Sequence, residues 1–444
     1  MKKKVYIRTL GCPKNETDSE HLRGELERAG YTSAARADDA DVVIVNTCSF
    51  IEAARRESVD AVLDELAARS DGQRVLVAGC LVERYGSELA AELPEADGFM
   101  SLGSYGRAAA VVDGALGGVR QLCFDAGKVP LDLTVRPKPA GPTAFVKISE
   151  GCDRVCTFCA IPAIRGGHRS RTIEAIDDEV RWVVARGVKE VVLVAQDMSL
   201  YGRDLYRRWM LPGLLRRLGE VDGLLWVRML YQFPRYVNDE LLEAVAASPP
   251  AVPYFDLSLQ HASAKLVRKM RRWGDGERFL AMIDRIRSRF PDAALRSAFI
   301  VGFPGETEGD AAELASFLRE ARLDWAGFFP YSKEEGTEAA RFTRGHVPRA
   351  TVAERVDALG EVQSEIAETK RAALIGSKVE VLVERRVGVE TRGRTWREAP
   401  EVDAQVIVRG ARGVRTGDVI EAEVTGVDGL DLRAQAQPAA VAAV

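Results

Sequence analysis

Three cysteines fall within one short stretch, Cys152-Asp153-Arg154-Val155-Cys156-Thr157-Phe158-Cys159, directly after the apolar run Ala144–Ile148. Three thiolates this close, at the end of a strand, can ligate three irons of a 4Fe–4S cube and leave the fourth iron without a protein ligand. An open coordination position belongs to a site that binds substrate, whereas a closed one is structural. A zinc knuckle would need a fourth Cys or His at a regular offset, and a ferredoxin a fourth Cys. His168, nine residues beyond Cys159, does not meet that need. The fold must therefore present this loop at a strand end, with space beside it for a ligand.

The surrounding pattern supplies such a fold. From residue 143 to 372 apolar strand candidates alternate with helical stretches: Ala144–Ile148, Val191–Ala195, Leu225–Leu230, Tyr254–Leu259, Leu295–Val301 and Trp325–Phe329. Six parallel strands with crossover helices predict an incomplete α/β barrel with ligands at the C-terminal strand ends. Gln196, Ser258, Gln260 and His261 fall at those ends. Gly302 and Gly305, in Gly302-Phe303-Pro304-Gly305, follow a strand and open a helix, where N–H groups can approach a ligand. Arg165 and Arg171 are candidates to neutralise a bound carboxylate.

Residues 1–116 show a second strand–helix alternation with a cysteine after each strand. Val5–Leu10 leads to Cys12, Val42–Val45 to Cys48 and Val75–Ala78 to Cys80. This predicts a parallel sheet of flavodoxin or Rossmann type. The carboxyl ends of its strands converge on one edge, so three thiols there can hold a second cube, again with an open iron. Cys123 belongs to neither set. A Pro-rich linker over 117–142 follows this domain. A small all-β unit, expected as a five-stranded barrel, occupies 373–438, and a disordered tail 439–444.

No apolar run approaches the length of a membrane span, and the basic start Met1–Arg8 reads as a strand, not a signal peptide. A cytoplasmic location is expected, where thiols stay reduced and serve as ligands. The formal net charge is −4. Residues 371–444 hold 11 Lys/Arg and 11 Asp/Glu. A domain that grips tRNA phosphates should be basic, so this balance favours a protein partner over tRNA. Arg394, Trp396 and Arg397 offer an anchor of the kind enriched at interfaces.

The Cys152–Cys159 spacing resembles the radical S-adenosylmethionine superfamily. The whole chain resembles the methylthiotransferases within it, with an N-terminal three-cysteine domain, a radical core and a C-terminal TRAM barrel in that order. The resemblance implies two 4Fe–4S clusters, on Cys152, Cys156 and Cys159 and on Cys12, Cys48 and Cys80. S-adenosylmethionine would be both methyl donor and radical source, with Phe158 beside its adenine. The reaction implied places –SCH₃ on an unactivated C–H bond, with an external reductant and sulfide source. Leu10-Gly11-Cys12-Pro13-Lys14-Asn15, Gln260-His261-Ala262-Ser263 and Tyr331-Ser332-Lys333-Glu334-Glu335-Gly336-Thr337 resemble the RimO branch. That branch modifies an aspartate β-carbon in protein twelve of the small ribosomal subunit. The branch that modifies tRNA adenosine usually carries Gln and Met where this chain has Pro13 and Lys14. The alternative of another class is a non-enzymatic iron–sulfur protein for electron transfer or cluster delivery.

Overall fold

The computed structural model describes residues 2–125, 131 and 136–437. The tail 439–444 and much of the Pro-rich linker lie outside the described residues. The first unit runs β1 (Lys4–Thr9), α1 (Pro13–Arg28), β2 (Thr32–Ser33), β3 (Val42–Thr47), α2 (Glu52–Ala68), β4 (Arg74–Gly79), α3 (Cys80–Glu92), β5 (Gly98–Met100), α4 (Ala108–Leu116) and β6 (Gln121–Cys123). Its sheet has the order β2-β1-β3-β4-β5-β6, every pair parallel. β3 is buried on both faces, as central parallel strands are. Strand order reverses between β1 and β3, the position where such sheets bind ligands. Strand β6 lies beyond residue 116, inside the stretch read as linker; it pairs with β5 and brings Cys123 into the sheet.

The second unit contains β7 (Thr143–Lys147), β8 (Ser149–Glu150), α5 (Ile161–Arg165), β9 (Arg169–Ser170), α6 (Ile173–Val184), β10 (Glu190–Val194), α7 (Arg203–Tyr206), α8 (Leu211–Leu218), β11 (Trp226–Gln232), α9 (Asp239–Ala247), β12 (Ala251–Gln260), α10 (Ala264–Lys269), α11 (Gly276–Arg289), β13 (Ala294–Val301), α12 (Glu308–Ala321), β14 (Trp325–Pro330) and α13 (Arg349–Ala372). Its six long strands lie in chain order, β7-β10-β11-β12-β13-β14, all parallel. This is the expected incomplete barrel. Alternate residues divide the sheet between two cores. Val191, Leu193, Val227 and Met229 pack under the helices, while Val192, Val194, Trp226 and Tyr254 line the inner face.

The third unit is a closed barrel of β15 (Lys378–Val387), β16 (Glu390–Arg394), β17 (Val406–Arg409), β18 (Val419–Asp428) and β19 (Asp431–Ala436), in the order β15-β16-β17-β19-β18. It seals the lower end of the second unit. Trp396 and Ala399 pack with Trp226, Tyr254 and Trp325. Arg394 pairs with Glu190 at the start of β10, Arg228 donates to the Trp396 carbonyl, and Tyr254 donates to Asp403. Arg397 reaches Asp292. The stretch read as an exposed partner anchor is thus consumed inside the molecule. Arg394 is 3% exposed, and its charge is neutralised by Glu190 and Glu384. No helix among the described residues is long and apolar enough to cross a membrane.

The Tyr331–Thr337 motif is a clamp between the first two units. Glu334, with its side chain 2% exposed, accepts hydrogen bonds from Arg55 and Arg84 of the first unit, and Ser332 accepts from the Glu52 N–H. Burial opposes the charge on Glu334, but bonds from Ser332, Arg84 and Arg55 prevail and hold its carboxyl below the ordinary 4.5. A depressed carboxylate stabilises the docked state above its unfolded pKa and loses that contribution as pH falls through the folded one. Glu334→Gln should therefore weaken docking by about 2–3 kcal/mol at neutral pH. The difference from the parent should shrink as pH falls below 4.5. Urea melts followed by limited proteolysis at two pH values would measure it; an equal difference at both would contradict the assignment.

Candidate metal and cofactor site

The three N-terminal cysteines occupy equivalent turns. Cys12 is the N-cap of α1, with Pro13 at the first helical position, where a missing N–H costs nothing. Cys48 follows β3, and its N–H donates to Ser58 Oγ at 2.9 Å. Cys80 opens α3 immediately after Gly79, whose φ is +98°. A Cβ on Gly79 would lie 2.5 Å from the Thr47 carbonyl oxygen, so only glycine lets β4 turn this tightly into its cysteine. The three thiols lie within one another's electrostatic range. Burial, then the charge of Cys12, raises the pKa of Cys48. Burial pushes Cys80 up to about 12 against the pull of Arg165.

The second triad sits on a loop pinched at its base by the antiparallel pair β8–β9 and by a Cys152 N–H to Gly166 carbonyl bond of 3.1 Å. Burial pushes Cys152 up to about 11 and Cys159 up to about 12. Arg272 donates to Cys156 Sγ at 3.5 Å and to the Ser258 carbonyl at 2.5 Å. Arg154 bonds Asp197 at 2.6 Å, and both arginines stack on Phe233 at 4.1 Å. Phe158 packs on Leu266, Met270 and Phe303.

Among the described residues, no three His, Cys, Asp or Glu side chains are arranged to hold a metal ion. Thiols around one zinc converge at about 2.3 Å from a single point, and these do not. The donor sets suit a larger, multi-iron group: three soft thiols each, with no fourth side chain. His168, on Ser170 and near Asp204, is not such a ligand.

The triads belong to different units and are joined by buried charge. Lys147, at the end of β7, is bonded to Asp18 of α1 and to Glu150. Arg165 reaches Asp18 at 2.9 Å, Glu150 at 3.1 Å, Asn15 at 2.8 Å and Cys80 Sγ at 3.3 Å. Arg165 thus serves the N-terminal triad, and Arg171 is spent on Glu179 and the Lys147 carbonyl. The sequence signal for this network was available in two charges, Lys147 and Glu150, beside an apolar strand.

Other expected site residues fare unevenly. Gln196 donates to Glu150 and leaves its buried Oε1 unpartnered at the rim. Ser258 and Gln260 are half-buried at the end of β12, and Gln260 adopts a φ of +72°. Tyr231, overlooked in the sequence, shows the same left-handed geometry at +61° on the neighbouring strand. Such strain in non-glycine residues gathers at functional sites. His261 is fully buried; its Nδ1 accepts the Ser263 N–H, and burial lowers its pKa to about 4. It is a turn residue, not a rim group. Gly302 and Gly305 do not offer their N–H groups to a ligand. Gly302 donates to Glu306 at 2.6 Å and Gly305 to the Gly345 carbonyl at 2.7 Å. Gly302 is instead required by its φ of +79° and by close packing, since an added Cβ would lie 2.3 Å from Val352 Cγ2. Gly302→Ala should destabilise the chain by about 2–4 kcal/mol. Val352→Ala in the same chain should recover the packing part and leave about 1–2 kcal/mol of backbone strain. Thermal melts of the single and double variants test this, and no recovery would refute the packing cause.

Comparison with known proteins agrees with this division. The uncharacterized protein family UPF0004 matches residues 4–101, the radical SAM superfamily 146–318 and the TRAM domain 375–436. The chain is 43% identical to the ribosomal protein uS12 methylthiotransferase RimO of Symbiobacterium thermophilum, covering 98% of this chain and 91% of that one. It is 45% identical to that of Moorella thermoacetica, over 92% and 93%, and 40% identical to that of Streptomyces coelicolor, over 97% and 96%. Among solved structures its fold resembles the radical S-adenosylmethionine methyltransferase TsrM from Kitasatospora setae (TM-score 0.55, 15% identity, 74% of this chain and 75% of that one). It also resembles the cobalamin-dependent radical enzyme OxsB (TM-score 0.50, 13% identity, 83% and 56%). The chain belongs to the RimO family of radical SAM methylthiotransferases.

Proposed function

We propose that this chain attaches a methylthio group to the β-carbon of an aspartate in ribosomal protein uS12. The observation that carries this reading is the pairing of near-full-length RimO similarity with two cysteine triads whose units are tied together by Arg165, which touches Cys80 and shares Glu150 with the rim glutamine Gln196. In this reading Cys152, Cys156 and Cys159 hold a 4Fe–4S cluster with S-adenosylmethionine at its open iron, and Cys12, Cys48 and Cys80 hold a second. Together they supply the hydrogen-abstracting radical, the methyl group and a place for sulfur. The protein's own residues bind and orient. Arg272 and Arg154 place positive charge beside Cys152, Cys156 and Cys159, which favours anionic thiolates. Phe158 offers an aromatic face held by Leu266 and Phe303. Gln196 Oε1 remains available to a polar ligand atom. The sealed lower end leaves the rim as the entrance.

A reductant and a sulfide source are required from outside the chain. The balanced charge of residues 371–444 supports a protein substrate and disfavours tRNA, whose binding rests on phosphate neutralisation. Anaerobic reconstitution should load about eight irons per chain, and replacing Cys152, Cys156 and Cys159 together should leave about half. Cys12→Ala should abolish methylthio transfer to uS12 while 5′-deoxyadenosine still forms. Mass spectra of uS12 and of tRNA from a deletion strain decide the substrate. Loss of a methylthio group from tRNA with unchanged uS12 would sink the assignment.

A further inference from the structure

Lys14 has a property that the other buried cations between the triads lack. It is 7% exposed, and among the described residues it makes no ion pair. Its Nζ lies 3.4 Å from the Ala195 carbonyl and 3.6 Å from the centre of the Tyr231 ring. Most of its cationic neighbours are paired with carboxylates. Lys147 and Arg165 share Asp18 and Glu150, Arg154 holds Asp197, and Arg296 holds Asp256 and Asp403. Arg272 is engaged by Cys156 and the Ser258 carbonyl. A buried ammonium resting on one long hydrogen bond and a ring face, with the Cys48 thiol as the acidic group in its electrostatic range, is costly to keep without a carboxylate partner.

Its position says which carboxylate. Lys14 is two residues beyond Cys12, so its stem starts at the first triad. Its tip ends at the rim of the second unit, on the residue after β10 and on a strained tyrosine in β11. Asp197 and Phe233, each two residues further along those segments, are the contacts of Arg154 and Arg272 beside Cys152 and Cys156. The ammonium therefore stands between the sulfur-carrying side and the radical side.

Building on the functional reading above, we propose that Lys14 receives the side-chain carboxylate of the substrate aspartate and so presents its β-carbon to both sites. Lys14 is a specificity-determining residue in this role, with Tyr231 as the platform under its ammonium. An adenosine substrate has no carboxylate for such a group.

The test is a double-mutant cycle between enzyme and substrate. Reconstituted parent enzyme, Lys14→Met and Lys14→Gln are assayed on purified uS12 and on uS12 with the target aspartate changed to asparagine. In the parent, the asparagine substrate should lose at least about 30-fold in kcat/KM, as expected when one partner of a buried charge pair is removed. In both variants the loss on the aspartate substrate should be of that order, and the change to asparagine should add little further. Undiminished discrimination between aspartate and asparagine in the variants would overturn the proposal. So would an effect confined to the KM for S-adenosylmethionine, or loss of iron from both variants, which would make Lys14 structural. Failure of the parent itself to modify uS12 would instead overturn the functional reading, and the proposal with it.

Discussion

Two cations and two carboxylates, Lys147 and Arg165 with Asp18 and Glu150, fix the relation between the two halves of this site. All four are buried. Ion pairs of this kind add little net stability compared with apolar packing, but each tolerates only one arrangement of its partners. Asp18 comes from α1, whose first turn carries Cys12. Lys147 and Glu150 flank the end of β7, two residues before Cys152. The network therefore sets the spacing of two thiol triads that stand on separate sheets. Burial raises the cost of Glu150, and Lys147 and Arg165 more than offset it, holding its carboxyl well below the usual range.

A second set of buried charges performs the opposite task at the other end of the strands. Glu190 is shared by Arg228 and Arg394, and Asp403, pushed up to about 6 by burial, is held by Tyr254 and Arg296. These contacts set the C-terminal barrel under the incomplete one and close its inner face with Trp396 and Ala399. The small barrel is accordingly part of the core of its neighbour as well as a domain in its own right.

Much of this was legible in the sequence. The six strands of the second unit and the three cysteine-bearing strands of the first lie where apolar runs alternate with amphipathic stretches, because parallel strands buried on both faces leave that pattern. The thiols could be grouped because each follows a strand. What could not be read were properties set by distant partners. Strands β2 and β6 are two and three residues long and carry no periodicity. Arg394, Trp396 and Arg397 have the composition of an exposed anchor, and only tertiary contact shows them covered. Gly302 and Gly305 look alike whether they face a ligand or a helix; the bonds to Glu306 and Gly345 decide. His261 and Glu334 sit in motifs that suggested function, and their work is to hold a turn and a domain contact.

The closed floor also bears on how the chain comes into being. Its sealing segment, around Arg394–Asp403, is made some 250 residues after β7. During synthesis the inner face with Trp226, Tyr254 and Trp325 stays uncovered while every later strand is added. Exposed apolar surface on an incomplete parallel sheet is the state most open to misassociation. Biogenesis thus has a natural order, in which a domain made later completes a core made earlier. A nascent chain stalled before residue 394 would display the hydrophobic face that a chaperone recognises.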